Sequence, residues 1–244
     1  MTITTYRTAA HAARAAARRL LDQLATTPAL VIGLPTGATP IPLYRALVAA
    51  HRRGKADFSQ ATTFNLDEFL SVGHGDAGSY RTFMETHLFA HVNIAPRRAH
   101  VLDGRTTNWR DEVRRYDARI ARAGGLDVVV LGIGRNGHLG FNEPADALAP
   151  RTHRVTLRAQ TRRANAELFG GDWRAVPTQA LSMGLGTILG AREVVLIATG
   201  TAKARIVARA LQGPVTTRVP ASLLQAHPHV TVLLDREAAA ALRA

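Results

Sequence analysis

The sequence predicts an α/β fold: an open, mostly parallel, twisted sheet of Rossmann-like type with helices on both faces. Three observations predict it. Short runs of almost uninterrupted apolar residues alternate along the chain with segments of helical periodicity, and strands of that kind are buried on both faces, as in parallel sheets sandwiched between helices. The loops leaving these runs carry Gly, Thr and Pro and lead straight into the next helical segment. Finally, 244 residues with 46% apolar content suffice for one sizeable core. No linker or repeat breaks the chain, which reads as a single domain over residues 1–244.

Taken in order, residues 8–25 form an amphipathic helix rich in Ala and Arg. A strand at 29–33 is followed by a helix at 41–51, entered behind Pro40, whose fixed φ suits a first helical turn. A strand at 61–66, a helix at 80–91 and a short strand at 100–102 come next. The helix at 109–123 carries a solvated face of Arg114, Arg115, Arg119 and Arg122. Residues 126–131, Leu-Asp-Val-Val-Val-Leu, form the cleanest buried strand. A strand at 154–157, a helix at 163–169, a strand at 193–198, a helix at 203–211 and a strand at 230–234 complete the pattern. Residues 145–180 are expected to act as a lid.

Composition excludes several classes. The chain has no cysteine, which removes disulfides, thiolate zinc sites and cysteine nucleophiles and makes a reducing cytoplasm the default. No run of about 18 apolar residues exists for a transmembrane span, and the N-terminus lacks the apolar stretch of a secretory signal. Net charge is +13, almost all of it arginine, since Lys55 and Lys203 are the two lysines. The arginines are scattered without interleaved aromatics, so the charge reads as a solvated basic surface that attracts anionic metabolites rather than a nucleic-acid groove. A lysine kept in so arginine-rich a chain points to a need for its compact ammonium.

In parallel α/β sheets ligands bind at the carboxyl ends of the strands, and four such loops carry chemistry here. Leu34-Pro35-Thr36-Gly37-Ala38-Thr39-Pro40 offers a glycine for a tight turn, two hydroxyls and a helix start, which together make an anion site suited to phosphate; the ordinary alternative is a turn capped by Thr39. Asn65-Leu66-Asp67-Glu68-Phe69 places two adjacent carboxylates at a strand end, one of which should face the cleft. Gly132-Ile133-Gly134-Arg135-Asn136-Gly137 spells a dinucleotide fingerprint, but the following Gly140 and Pro144 forbid the helix that would hold a pyrophosphate. That loop supplies instead His138 and Glu143, an imidazole with a carboxylate to orient it. Thr199-Gly200-Thr201-Ala202-Lys203 puts a cation at a helix start, against the helix dipole. Together they suit proton transfer on a sugar phosphate.

These residues resemble the glucosamine-6-phosphate deaminase (isomerase) family, whose fold the 6-phosphogluconolactonases share. The matching stretches are Gly33-Leu-Pro-Thr-Gly-Ala-Thr-Pro40, Phe64-Asn-Leu-Asp-Glu-Phe69, Ser79-Tyr80, Gly132-Ile-Gly-Arg-Asn-Gly-His138, Phe141-Asn-Glu-Pro144, Thr161-Arg162, Ala164-Asn165 and Gly200-Thr-Ala-Lys203. The resemblance implies conversion of glucosamine 6-phosphate and water to fructose 6-phosphate and ammonia, without cofactor or metal. It implies that His138, supported by Glu143, moves a proton to the ring oxygen, and that Asp67 moves the proton between C2 and C1, giving the enol-type intermediate from which ammonia leaves. Phosphate would sit on Thr36, Gly37, Ala38 and Thr39 with Arg162 and Lys203 as clamps. Two departures stand out. Asn136 occupies a position where many family members carry aspartate, and it can orient His138 by hydrogen bonding but cannot carry a proton. The positions of the allosteric phosphate site read Asp146, Ala147, His153 and Val155, so the resemblance implies no activation by N-acetylglucosamine 6-phosphate and a monomer or small homo-oligomer. The competing readings are a sugar-phosphate lactonase, in which His138 activates water, and a basic, non-catalytic binder of sugar phosphates or nucleic acid.

Overall fold

The computed structural model describes residues 1–243. In chain order the strands are β1 (Thr2–Tyr6), β2 (Val31–Leu34), β3 (Thr62–Asn65), β4 (Asp67–Phe69), β5 (Ala99–His100), β6 (Val128–Leu131), β7 (His153–Thr156), β8 (Gln179–Ser182), β9 (Glu193–Ala198) and β10 (Val230–Asp235). The helices are α1 (Ala9–Thr26), α2 (Ile41–Arg52), α3 (Tyr80–His87), α4 (Trp109–Arg122), α5 (Ala159–Ala164), α6 (Leu185–Leu189), α7 (Ala204–Gln212) and α8 (Arg236–Ala239). Seven strands form a wholly parallel sheet in the order β1-β10-β9-β6-β2-β3-β5. The fold class read from the sequence is the one observed.

Strand alternation divides the core in two. Val129, Leu131, Val194, Leu196, Val232 and Leu234 point to one face and pack on α4, α6, α7 and α8 through Tyr116, Ile188, Val207 and Ala238. Ile32, Leu34, Val128, Val130, Val195 and Ile197 point to the other and meet α1, α2 and α3 through Leu20, Leu47 and Met84. The inner strands of this sheet show no polar face because helices cover both sides. Burying a leucine or valine side chain is worth about 1.5–3 kcal/mol, so these two layers dominate the stability of the sheet.

Three differences from the expected elements bear on the site. The strand expected at 61–66 ends at Asn65, and β4 begins at Asp67 in a second, antiparallel sheet of order β4-β8-β7. The strand expected at 154–157 belongs to that sheet rather than the parallel one. The helix expected at 163–169 begins earlier, as α5, and breaks at Asn165, whose side chain donates back to the Thr161 carbonyl at 2.9 Å before a 3-10 turn at Ala166–Phe169. A small third cluster, with Phe69, Tyr80, Phe141, Leu157 and Val176, holds the antiparallel sheet against α3. Among the described residues no helix is long and apolar enough to cross a membrane.

The sheet order also dictates where a crevice opens. From β2 the chain proceeds outward through β3 to β5, then returns to place β6 on the opposite flank of β2. The loops leaving β2 and β6 therefore diverge, and a ligand site is expected between them at the carboxyl ends of those strands.

Candidate active site

A cleft of about 1020 Å³, including its open mouth, lies at that switch point. Thr36, Gly37, Ala38 and Thr39 wall it on one side, Asp67 and Tyr80 on a second, and Arg135, Asn136, His138 and Lys203 on a third. Of the ten residues singled out from the sequence, Glu143 stands directly behind this wall and Arg162 alone is turned away.

The first wall follows from local chain chemistry. Gly37 has φ +98°, the left-handed region in which a Cβ is strained. The turn it makes delivers the chain into α2 with Pro40 at the cap position and no side-chain cap, so Thr39 does not serve as one. The hydroxyls of Thr36 and Thr39 and the amides of the turn are thus left beside the positive end of α2, an arrangement that favours an anion. Lys203 faces this loop region, its Nζ donating to the Ile133 carbonyl at 2.6 Å. Burial, and then the nearby Arg135 guanidinium, lower its proton affinity. An arriving anion would relieve both.

Asp67 and Glu68 point opposite ways, as alternation along β4 requires. Asp67 faces the cleft and is 6% exposed. Burial, reinforced by the charge of Glu68, pushes its carboxyl up to about 8. Tyr44 and Tyr116, both fully buried, have phenols raised by burial, then by the Asp67 charge at Tyr44 and by the Glu112 and Asp67 charges at Tyr116, and donate to the backbone carbonyls of Pro35 and Asn65.

His138 ends a relay. Its Nδ1 is 2.7 Å from Asn136 Oδ1, Asn136 Nδ2 donates to Glu143 Oε2 at 2.6 Å, and Glu143 Oε1 accepts from Thr161 Oγ1. The relay fixes proton positions. A carboxylate only accepts, so the amide nitrogen of Asn136 faces Glu143 and its oxygen faces the ring. Nδ1 therefore carries the hydrogen and Nε2 keeps its lone pair. Burial lowers the His138 pKa, against the Glu143 charge and with the Lys203 charge, so the ring is neutral at pH 7. Such a ring accepts a proton at Nε2 before it returns one.

The loop's glycines make this possible. Gly134 donates to the His138 carbonyl at 3.0 Å, and a Cβ on Gly134 would fall 2.2–2.4 Å from three atoms of the His138 ring. Gly134→Ala is expected to displace the imidazole and cut turnover roughly 100-fold, as misplacement by about 1 Å does in other sites. Steady-state kinetics with an unchanged melting temperature would check it.

Arg162, expected as a phosphate clamp, points away from the cleft in this arrangement. Its Nε donates to the Val176 carbonyl and its NH2 to the Arg174 carbonyl, each at 2.9 Å, and its guanidinium stacks on Trp173 at 5.1 Å together with Arg163 and Arg174. Returning backbone at 174–176 supplies acceptors that draw the side chain out of the cleft, while its neighbours Thr161 and Asn165 face in. Asp146 is engaged by Arg218. Sequence reasoning missed Arg135, Gln160, Thr161, Asn165 and Tyr80 as cleft residues. Tyr80, Thr161 and Asn165 lay within the matching stretches, whereas Arg135 and Gln160 gave no signal of their own. Tyr80 Oη donates to Asn165 Oδ1 at 3.2 Å, tying α3 to the end of α5 across the mouth. Among the described residues no group of three His, Asp or Glu side chains is disposed to hold a metal ion.

Comparisons with known proteins agree with this geometry. Residues 4–233 match the family described as glucosamine-6-phosphate isomerases/6-phosphogluconolactonase. A glucosamine-6-phosphate deaminase of Halothermothrix orenii is 44% identical over 93% of this chain and 94% of its own length. Glucosamine-6-phosphate deaminase 2 of Giardia intestinalis is 46% identical, over 94% of this chain and 87% of its own. A solved monomeric glucosamine-6-phosphate deaminase superposes with a TM-score of 0.95 at 39% identity, covering 99% of this chain and 100% of that one. A 6-phosphogluconolactonase from Trypanosoma cruzi shares the fold, with a TM-score of 0.78 at 20% identity over 100% of this chain and 97% of its own.

Proposed function

The chain belongs to the glucosamine-6-phosphate isomerase/6-phosphogluconolactonase family, and on that premise we propose that it is an enzyme that converts glucosamine 6-phosphate and water to fructose 6-phosphate and ammonia. The observation that carries this reading is the meeting of Asp67, the His138 relay and the loop at 36–39 in one cleft. His138 Nε2 accepts the hydroxyl proton from C1 of the sugar and passes it to the ring oxygen as the C1–O5 bond breaks. The open-chain aldehyde acidifies C2, and Asp67 takes that proton. The enol-type intermediate regains it at C1, which leaves an imine at C2. Water adds there and ammonia departs. No step calls for a cofactor, because the substrate's own carbonyl supplies the electron sink.

The phosphate is assigned to Thr36, Gly37, Ala38, Thr39 and Lys203. Lys203→Ala is expected to raise KM for glucosamine 6-phosphate at least about tenfold while kcat changes little, since a charge-assisted contact of about 1.5–3 kcal/mol is lost from bound and transition states alike. An unchanged KM in initial-rate assays removes Lys203 from the phosphate site. The decisive experiment follows fructose 6-phosphate and ammonia together from purified protein and glucosamine 6-phosphate. Equal amounts of both support the deaminase. Hydrolysis of 6-phosphogluconolactone in their place would favour the lactonase reading, against which Asp67 stands because ester hydrolysis needs no C2 base. We further propose that the enzyme works in the cytoplasm as a monomer or small oligomer, with residues 145–180 as a lid. With Asp146 at the allosteric position, where a carboxylate repels a phosphate, rate curves should be hyperbolic and indifferent to N-acetylglucosamine 6-phosphate; a sigmoidal curve straightened by that ligand would refute this.

A further inference from the structure

We propose that Glu68 is a positioning residue for Asp67: a buried, fixed negative charge, anchored by the start of α3, that makes its strand neighbour a stronger base. The proposal rests on the reading of Asp67 as the base that takes the C2 proton.

Glu68 is 1% exposed, and every partner of its carboxyl group is a donor. Oε1 accepts from the amides of Phe69 and Tyr80, both at 2.9 Å. Oε2 accepts from Ser79 Oγ at 2.8 Å and from the Arg81 amide at 3.0 Å. Four donors and no acceptor suit a carboxylate and leave a carboxyl proton nowhere to go. Among the described residues no cation is paired with it, for the nearby Arg81 guanidinium is bound to Glu85 and to the Ala99 carbonyl.

Helix capping explains only part of the arrangement: Glu68 takes the Tyr80 amide, but a neutral glutamine oxygen could accept that bond without a buried charge. Ser79 already caps α3, accepting from the Arg81 and Thr82 amides at 3.1 and 3.4 Å. A neutral side chain at position 68 would spare the desolvation of a buried, unpaired charge. What the charge acts on is its neighbour. Asp67 shares its peptide bond, points to the other side of β4 and stands in a poorly solvated wall, where a like charge strongly disfavours ionisation. The other groups facing Asp67 are the phenols of Tyr44 from α2, Tyr80 from α3 and Tyr116 from α4, and, across the cleft, the cations Arg135 and Lys203 and neutral His138. Glu68 is thus the source of negative charge beside the base. Burial pushes Glu68 itself up to about 7 against its four hydrogen bonds, so it is charged at pH 8, where Asp67, at about 8, is half ionised.

The test is the pH dependence of kcat/KM for glucosamine 6-phosphate in wild type, Glu68→Gln and Ser79→Ala. Wild type is expected to lose activity on acidification with a midpoint above pH 7. Glu68→Gln should move that midpoint down by about one pH unit or more and lower kcat on the alkaline plateau, because a weaker base removes the proton more slowly. Ser79→Ala disturbs the same helix start and removes one of the four donors to Glu68 but keeps the carboxylate, so it should lower the melting temperature and move the midpoint much less than Glu68→Gln does. An unmoved midpoint in Glu68→Gln, or an equal shift in Ser79→Ala, overturns the proposal. If Glu68→Gln does not fold, Glu68→Asp takes its place: the charge is kept, so the midpoint should hold, and a wild-type midpoint below about pH 5.5, in the ordinary carboxylate range, is the overturning result. Failure of the underlying reading looks different, as wild type without turnover or Asp67→Asn fully active. In that event carboxyl titration by infrared difference spectroscopy, wild type against Glu68→Gln, still reads the same shift at Asp67.

Discussion

Asp67→Asn is expected to abolish useful turnover of glucosamine 6-phosphate, by roughly 10²–10⁴-fold in kcat, the span that a positioned general base contributes. Phosphate binding should survive, because Thr36 to Thr39 and Lys203 lie on other walls of the cleft. The same variant should be more stable than wild type at pH 8. The sign follows from the raised pKa. Between the ordinary value of 3.8 and about 8, the folded protein holds a proton that the unfolded chain has released. That difference penalises the folded state progressively as pH rises through this window, and it is absent below pH 4. Asparagine fills nearly the same volume without a charge to desolvate. The melting temperature of Asp67→Asn should therefore exceed that of wild type by several degrees at pH 8, each kcal/mol being worth about 2–4 °C in a chain of this size, and the gap should narrow as pH falls and close near pH 4. Calorimetry across that range checks it. A variant equally active, or less stable at every pH, would remove Asp67 from its assigned role.

The second large effect concerns the relay behind His138. Glu143→Gln replaces an acceptor-only carboxylate with an amide that can turn either way, so Asn136 is no longer obliged to present its oxygen to Nδ1. With a charge-assisted hydrogen bond worth about 1.5–3 kcal/mol, kcat should fall roughly 10–100-fold. Asn136→Ala should cost at least as much, since it severs the hydrogen-bonded path from the carboxylate to the ring at 2.7 and 2.6 Å and leaves the direct His138 Nδ1–Glu143 Oε2 approach of 3.8 Å. The double variant should be scarcely worse than Asn136→Ala alone, because groups acting as one unit are not additive. Independent losses multiplying in the double variant would mean that Glu143 acts on the substrate directly rather than through Asn136. Nitrogen-15 NMR of the His138 ring offers a second check: hydrogen on Nδ1 in wild type, mixed tautomers in Glu143→Gln.

Much of this was legible in the sequence because chemistry and chain direction coincide in parallel sheets. β6, β9 and β10 announce themselves as unbroken apolar runs, and the glycines around 132–137 forbid a helix whatever the tertiary context. The antiparallel sheet was not legible. β4 is three residues, Asp-Glu-Phe, which read locally as an acidic turn and become a strand only by pairing with residues 180–182. α6 carries Gly184 at its cap and Gly186 within it, unfavourable in a helix, yet the backbone of Pro150 and Arg151 packs so closely that a Cβ at either position would collide, at 2.2–2.8 Å. β1 lies at the sheet edge with a largely exposed pattern and so lacks the apolar signature of its neighbours. The direction of Arg162 depends on where residues 174–176 return, a contact that no local pattern encodes.

The clasp of three guanidiniums around Trp173 gives the molecule an optical label of its own. The chain has two tryptophans. Trp109 stacks with Arg110 and Arg154 on α4 and β7, outside the residues that wall the cleft, and serves as an internal reference. Trp173 also lies outside the cleft wall, but it stacks on Arg162, which follows the cleft residue Thr161. Any rearrangement that draws Arg162 toward a bound phosphate strips one of those cations from the indole. Substrate capture thereby becomes readable as a change in intrinsic fluorescence, on a stopped-flow timescale and without a dye, and Trp109→Phe would leave a single emitter to follow.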